Sequence, residues 1–382
     1  MAKTSRAKTS RAKTPRAKTP RNQYVPDVVS PPGGTLEDML EERGMSQAEL
    51  AERTGRPKKT INEILKGKAA ITPETALQLE LVLGAPAAFW NQRERDYRAY
   101  LARKDEDDRL CGWAKWQQCF PLRDMIKHGW LPDVSTRADK VRALLRFFEV
   151  ASPEQWQEVH AARQVNFRKS QAYEADEAAL SVWLARAEHL ASEIPCQGFD
   201  KKGFRDALLE IRGLTNAPIR DAVSAAVSKC AAVGVAVALV PEVKGCRASG
   251  ATRWLSADKA LLQLSLRYKT NDHFWFTFFH EAGHILLHGK REVFLESNGH
   301  GDDDLHDDDD DLERAANKFA ADLLIPPKDV ERLRRLAPKT SHAIRAFARS
   351  IGIAPGIVVG RLQHDKLLPY THCNNLKSTL PP

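Results

Sequence analysis

The chain has 382 residues, 58 Lys plus Arg against 50 Asp plus Glu, and a formal net charge of +8. That length argues for two or three domains, and 42% hydrophobic residues with eight Trp can build real cores, which excludes wholesale disorder. No apolar run approaches the ~20 residues of a membrane helix, so no membrane association is expected. The start, MAKTSRAKTSR, lacks the apolar stretch of a secretory signal, and the six Cys contain no CxxC pair, which speaks against a disulfide framework or a Cys-type zinc site. A cytoplasmic protein of a reducing compartment is expected.

The positive excess has one address. Residues 2–21 read AKTSR, AKTSR, AKTPR, AKTPR, with Lys3, Lys8, Lys13, Lys18, Arg6, Arg11, Arg16 and Arg21 and no acid; without them 50 bases face 50 acids. Such a segment cannot enter a core, and residues 1–34, ending in the Pro/Gly-rich NQYVPDVVSPPGG, read as a disordered basic arm and linker. The arm either contacts nucleic-acid phosphates, with salt-dependent affinity, or only solubilises. A block of opposite sign, DDDLHDDDDD at 302–311, reads as a solvated acidic loop that could also dock the arm.

From Thr35 to about Leu83 short helical segments follow one another. Thr35 can cap a helix carrying Leu36, Met39 and Leu40; Ser46-Gln47-Ala48-Glu49 forms a capping box. Pro57 suits the first turn of a helix with Ile61, Ile64 and Leu65, and Thr72-Pro73-Glu74 starts another through Leu77, Leu81 and Val82. Two short helices joined at Gly55 fit a helix-turn-helix whose second helix enters the major groove. Its exposed positions would include Lys58, Lys59, Asn62 and Lys66, with Gln47 at the first helix's start and Arg56 in the turn as further DNA contacts. The bland alternative is a helical hairpin with a basic solvated face.

Residues from Pro86 to about Ala232 are mainly helical, and their aromatics read as core. Val235–Val240, Gly250–Trp254 and Leu261–Leu266 read as two or three strands of a small sheet. Helices follow at 272–288, with Asn271 or Asp272 as cap, and at 311–324, closed by Pro326-Pro327. Two more follow near 341–350 and from Pro355 to His364, and a frayed tail after Leu368.

The sharpest motif is His280-Glu281-Ala282-Gly283-His284. On a helix, positions i and i+4 share a face about 6 Å apart, so both imidazoles can reach one Zn²⁺ at about 2.0–2.1 Å. Glu281, one position round, can take a proton from a water that the ion has made acidic. His288 is a poor third ligand, because positions i to i+8 span about 12 Å of axis. A carboxylate from the second helix serves better and could complete a His2Glu set; on that helix Glu313 and Asn317 lie i,i+4 beside its packing stripe. Glu296 and the Asp run are the other candidates. His273, His342 and Arg361 are the basic groups that could stabilise an oxyanion.

The segment SQAELAERTGRPKKTINEILKGKAAITPETALQLELVLGAPAAFW resembles the Xre-type helix-turn-helix of the HigA antitoxin family over residues 35–92. The resemblance implies a five-helix, lambda-repressor-like domain, a homodimer on palindromic operator DNA, and a toxin partner; Arg56 stands where such domains often place a Ser or Thr cap. GVAVALVPEVKGCRASG, LLQLSLRYKTNDHFWFTFFHEAGHILLH and ERAANKFAADLLIPP resemble the ImmA/IrrE metallopeptidases. That resemblance implies a zincin-like domain over 225–368, with His280, His284 and Glu313 as zinc ligands, Glu281 as general base, and a repressor-type protein as substrate. The acidic insertion before Glu313 is unusual for it. The expected architecture is α+β, mainly helical: the DNA-binding domain, a helical connection over 93–224, the peptidase domain with its small sheet, and a tail over 369–382. The alternative function is a HigA-type repressor whose zinc domain is structural or sensory.

Overall fold

The computed structural model describes residues 29–159, 176–265, 270–288, 294–297 and 310–380. The basic arm, most of the acidic block and the side chain of Glu296 lie outside the described residues. Contacts divide the chain into two units, Met1–Asp108 and Arg109–Pro382.

The first unit contains α1 (Pro32–Glu42), α2 (Gln47–Thr54), α3 (Lys58–Leu65), α4 (Pro73–Leu83) and most of α5 (Ala87–Gly112). Leu36, Leu50, Ile61, Ile64, Leu79 and Trp90 are buried together at its centre. Helix α1 begins at Pro32, three residues before the Thr35 expected from the sequence, so the end of the supposed linker is its first turn. Pro32 fits that turn, since its missing N–H has no helical partner there anyway. Gly33 explains why the turn packs: a Cβ there would meet the Ile64 carbonyl oxygen at 2.3 Å and the Leu65 Cα at 2.6 Å. Thr35 does not cap; its hydroxyl accepts from Arg93 of α5 at 2.7 Å.

The capping box is half made. The Ser46 hydroxyl accepts from the Glu49 N–H at 3.1 Å, but the Glu49 carboxylate pairs with Arg53 one turn on instead of reaching back. Helix α2 ends at Gly55 with φ 67°, a left-handed conformation that glycine adopts without a Cβ penalty. Pro57 is the cap of α3, not its first residue. Leu77 and Leu81 are 56% and 85% exposed, because Ala76, Leu79 and Leu83 form the inner stripe of α4. Arg43 caps the last carbonyls of α4, at Val82 and Leu83. Helix α5 runs unbroken through residue 92 and is charged along most of its length.

The second unit contains helices α6 (Leu122–Lys127), α7 (Arg137–Phe148), α8 (Glu177–Glu193), α9 (Lys201–Leu214) and α10 (Ile219–Ala231) before the sheet. The strands are β1 (Val235–Val240), β2 (Ala248–Ser256), β3 (Lys259–Ser265) and β4 (Phe294–Ser297), in the order β1-β3-β2-β4. β1 runs parallel to β3, β2 and β3 form a hairpin, and β4 lies antiparallel to β2. The short β4 was not expected: four residues beside an acidic run carry too little pattern to be seen. After the sheet come α11 (Asn271–Leu287), α12 (Asp310–Leu324), α13 (Pro327–Arg334), α14 (Ser341–Ile351) and α15 (Pro355–His364). Helix α13 was also missed, because Pro326-Pro327 reads as a stop when Pro327 is in fact a first-turn proline.

The sheet is covered on both faces. Ala236, Ala238, Val240, Ala251 and Leu261 pack toward α8; on the other face Val235 and Val237 of β1 pack toward α10, and Leu262 and Leu264 of β3 toward α11. Two buried donors at the α8 interface are satisfied: Trp183 Nε1 donates to the Val240 carbonyl and Gln263 Nε2 to the Trp183 carbonyl. Lys259 Nζ donates to the carbonyls of Ala191 and Ile194 where α8 ends.

The expected frayed tail is instead ordered against the start of α11. Thr379 bridges Thr270, Asn271 exchanges hydrogen bonds with Ser378, and Lys377 Nζ pairs with Asp272 at 2.6 Å. Asn271 and Asp272 therefore serve the tail rather than capping the helix. Gln363, 1% exposed, donates to several oxygens of residues 369–374 and pins the same segment.

Gly33→Ala is expected to destabilise the N-terminal unit by about 1–3 kcal/mol, as overpacking against backbone does. Gly34→Ala, whose Cβ meets nothing within 4 Å, should be neutral or mildly stabilising. Equal thermal midpoints for the two variants would contradict the close contact of α1 with α3.

Candidate metal centre and DNA-reading face

Helix α11 is buried on nearly every side, because Phe274, Trp275, Phe278, Phe279, Ile285 and Leu286 fill the space between the sheet and α12–α15. Each large side chain contributes roughly 1.5–3 kcal/mol by leaving water, and their burial takes the intervening polar stripe inside as well. His280, Glu281 and His284 are at most 1% exposed. Buried polar groups are costly unless partnered, and here the partners come from α12. The two helices run antiparallel: His288 Nε2 meets the Leu312 carbonyl at 3.1 Å, and His280 Nδ1 meets Asn317 Oδ1 at 3.0 Å. Gly283 permits their approach, since a Cβ there would lie 3.1 Å from Phe319 and 3.3 Å from the Ala316 Cα.

That approach delivers Glu313. Its carboxylate lies 3.1 Å from His280 Nε2 and 3.4 Å from His284 Nε2, and the two imidazole nitrogens are 2.9 Å apart. The three donor atoms lie within 4.8 Å of one another. Neighbouring nitrogens on a tetrahedral zinc, each about 2.05 Å from the ion, stand about 3.3 Å apart, so the spacing fits one such ion. The side chain of Glu313 is 34% exposed, which makes it the wet edge of an otherwise dry cluster. His288, as expected, sits at the helix end outside the cluster. His273 lies two turns before His280, about 10 Å along the axis, His342 is exposed on α14, and Arg361 pairs with Asp365 at 2.9 Å.

Protonation suits ligation. Burial, with the neighbouring imidazoles, lowers the pKa of His284 to about 4 against the pull of Glu313. Burial would raise Glu313, but hydrogen bonds and charge from His280 and His284 outweigh it and hold the carboxyl at about 2. At neutral pH the cluster thus offers an imidazole lone pair beside a carboxylate. With the Asn317 amide oxygen as acceptor, His280 keeps its proton on Nδ1 and turns the Nε2 lone pair to the cluster.

Two neighbours of the motif were not found in the sequence. Asn317 was noted only for sharing a helix face with Glu313, and its bond to His280 depends on the helix–helix register. Thr252 of β2 donates its hydroxyl to Glu281 Oε2 at 2.5 Å, and nothing local marks it among the other strand residues.

In the N-terminal unit, Ile61, Ile64 and Leu65 form the buried stripe of α3, which leaves Lys58, Lys59 and Lys66 exposed and Asn62 half-buried. Lys58, Asn62 and Lys66 fall at i, i+4 and i+8 and so share one face. Lys59 stands 3.9 Å from Glu63, and Gln47 is exposed at the start of α2. Arg56 Nε donates to Gln78 Oε1 at 2.6 Å, which fixes the turn to α4 and commits part of the guanidinium.

His284 holds its proton less tightly in the fold, at about 4, than an ordinary imidazole at 6.5, so acid favours the unfolded chain. Its stabilising contribution is complete above pH 6.5 and is lost as the pH falls towards 4; Glu313, at about 2 against 4.5, continues the loss below 4.5. The thermal midpoint of chelator-treated protein should therefore fall between about pH 7 and pH 5, and fall less in His284→Gln. A midpoint independent of pH in wild type over that range would contradict the buried, neutral His284.

Comparison with known proteins agrees with both halves. A helix-turn-helix family model matches residues 36–90, and the IrrE N-terminal-like domain, a peptidase family, matches residues 255–362. The Escherichia coli (strain K12) protein YddM, described as an uncharacterized HTH-type transcriptional regulator, is 32% identical over 76 residues, which are 20% of this chain and 81% of that protein. An addiction module antidote protein of the HigA family from Coxiella burnetii is 29% identical, with a TM-score of 0.20, over 22% of this chain and 90% of its own. The antitoxin GraA is 27% identical, with a TM-score of 0.21, over 22% of this chain and 91% of its own. The chain belongs to the HTH-type transcriptional regulators, with an Xre-type helix-turn-helix domain at its N-terminus and an IrrE N-terminal-like domain of a peptidase family at its C-terminus.

Proposed function

We propose that this regulator binds operator DNA through α3 and hydrolyses a peptide bond in a regulatory protein at a zinc site formed by His280, His284 and Glu313. The observation that carries the reading is the convergence of two imidazoles and an ionised carboxylate within 4.8 Å, with the carboxylate of Glu281 on the residue next to His280. A purely structural site has no use for a buried glutamate at the second position of the motif.

When bound, the ion supplies Lewis acidity, which makes water a source of hydroxide near neutral pH and polarises a carbonyl oxygen. Glu281 accepts the water's proton and hands it to the leaving amine nitrogen. Asn317 holds His280 in its ligating tautomer, and the apolar packing of α11 keeps bulk water from the donors. On the DNA side, Lys58 and Lys66 suit phosphates or guanine edges and Asn62 suits adenine; Lys59, Gln47 and Arg56 add backbone contacts. A DNA-bound regulator is the fitting kind of substrate for a peptidase that itself carries a DNA-reading domain.

Zinc analysis and cleavage of the products of flanking genes test the chemistry. Glu281→Gln should retain one zinc per chain and lose cleavage by about 10²–10⁴-fold, and His284→Ala or Glu313→Ala should lose the zinc. Cleavage by Glu281→Gln at the wild-type rate would sink the mechanism. Wild type that binds zinc and operator but cleaves none of these proteins would favour the repressor reading, with the metal structural or sensory.

For DNA, Lys58→Ala and Asn62→Ala should each weaken operator binding by about 1–3 kcal/mol and relax sequence preference, as followed by mobility shift against operator variants. Unchanged affinity and preference in both would refute α3 as the reader.

A further inference from the structure

The geometry points to Thr252 as a positioning residue for Glu281, an inference that rests on the general-base reading of that carboxylate. Side chains alternate along β2. Ala251 and Arg253 face α8, where Ala251 joins the apolar layer and Arg253 pairs with Glu188. Gly250 and Thr252 face α11. Thr252 is 2% exposed and Glu281 fully buried; the Thr252 hydroxyl lies 2.5 Å from Glu281 Oε2 and 3.2 Å from the Glu281 carbonyl oxygen. Its single proton goes to the nearer acceptor, the side-chain oxygen.

Gly250 makes the room. A Cβ at that position would lie 2.3 Å from Glu281 Oε1 and 2.8 Å from its Cδ, so any side chain there displaces the carboxylate. Strand and helix thus form a slot with a floor at residue 250 and a donor at residue 252. Thr252 is a rigid donor. Its branched Cβ restricts χ1, and its residue is paired on both sides, with Leu262 of β3 and Phe294 of β4. A base that must collect a proton and release it to a second atom gains from one fixed orientation, because small misplacements cost rate steeply.

A double-mutant cycle tests this in chelator-treated full-length protein, read on the unfolding transition whose midpoint zinc raises. Thr252→Val should lower that midpoint by about 3–10 °C, Thr252→Ser by less than half as much, and the Val effect should shrink by at least half in Glu281→Gln. Gly250→Ala should be destabilising in wild type and much less so with Glu281→Ala, which empties the slot. With zinc at full occupancy, on a protein that wild type cleaves, Thr252→Val should lower kcat about ten- to a hundredfold at nearly constant KM, and Thr252→Ser should restore it. Additive thermal losses, or Ser no better than Val, overturn the positioning role. So does full-rate cleavage by Thr252→Val where Glu281→Gln is inactive, an outcome that leaves the general-base reading intact. Cleavage by Glu281→Gln removes that reading and the positioning role with it, even where the thermal coupling holds.

Discussion

The C-terminal unit depends on the close antiparallel approach of α11 and α12 at Gly283. Two imidazoles one turn apart on a buried helix are a liability until something partners them, and Glu313 does so only because the helices meet where neither has bulk. Ala316 and Gly283 set the separation, and Arg212 holds the far end of α12 by donating to the Leu323 and Leu324 carbonyls. With the helix ends fixed, the register of α12 is fixed, and the same register that places Glu313 on both Nε2 atoms places Asn317 on His280 Nδ1. One packing contact therefore sets both the donors and the tautomer of one of them.

The other face of α11 is set by the sheet, and its start by the tail. Gly356 and Gly360 of α15 lie against Asn271 and Asp272, where a Cβ would fall within 2.4 and 2.8 Å of their side-chain oxygens. Lys377 neutralises Asp272 in a pair that is 12% and 6% exposed. A buried pair of this kind adds little net stability, but breaking it leaves a buried charge. Its value lies in specifying where the helix starts, and therefore the depth at which His280 and His284 sit between β2 and α12.

Features that were legible in the sequence are those with a local physical signature. The i,i+4 histidines, the junction at Gly55, the continuous apolar run of β1 and the Ser46 cap all act within one turn or one strand, and all are seen in the structure. Glu313 was nominated by its helix face and by resemblance, and its carboxylate meets both imidazoles. What stayed hidden is long-range. The contact that requires Gly33 is at Ile64 and Leu65 in α3, and the partner that draws Asn271 and Asp272 away from capping is a tail with no periodicity of its own. Which apolar positions of α4 turn inward is also decided by packing: Leu79 and Leu83 are buried, whereas Leu77 and Leu81 are exposed.

Thr252 belongs to that hidden class, and it shows why a motif under-describes a site. His-Glu-x-x-His specifies which atoms are available on one helix; it does not specify their orientation. For the histidines, orientation comes from α12, an amide oxygen at Nδ1 and a carboxylate at Nε2. For the glutamate it comes from the opposite side, a strand that supplies one hydroxyl and one absent side chain. The base and the donors are thus supported by different elements, so a perturbation of β2 can move Glu281 while leaving His280, His284 and Glu313 together. Metal retention and proton transfer are in this sense separable properties of the fold, even though the motif writes them into five consecutive residues.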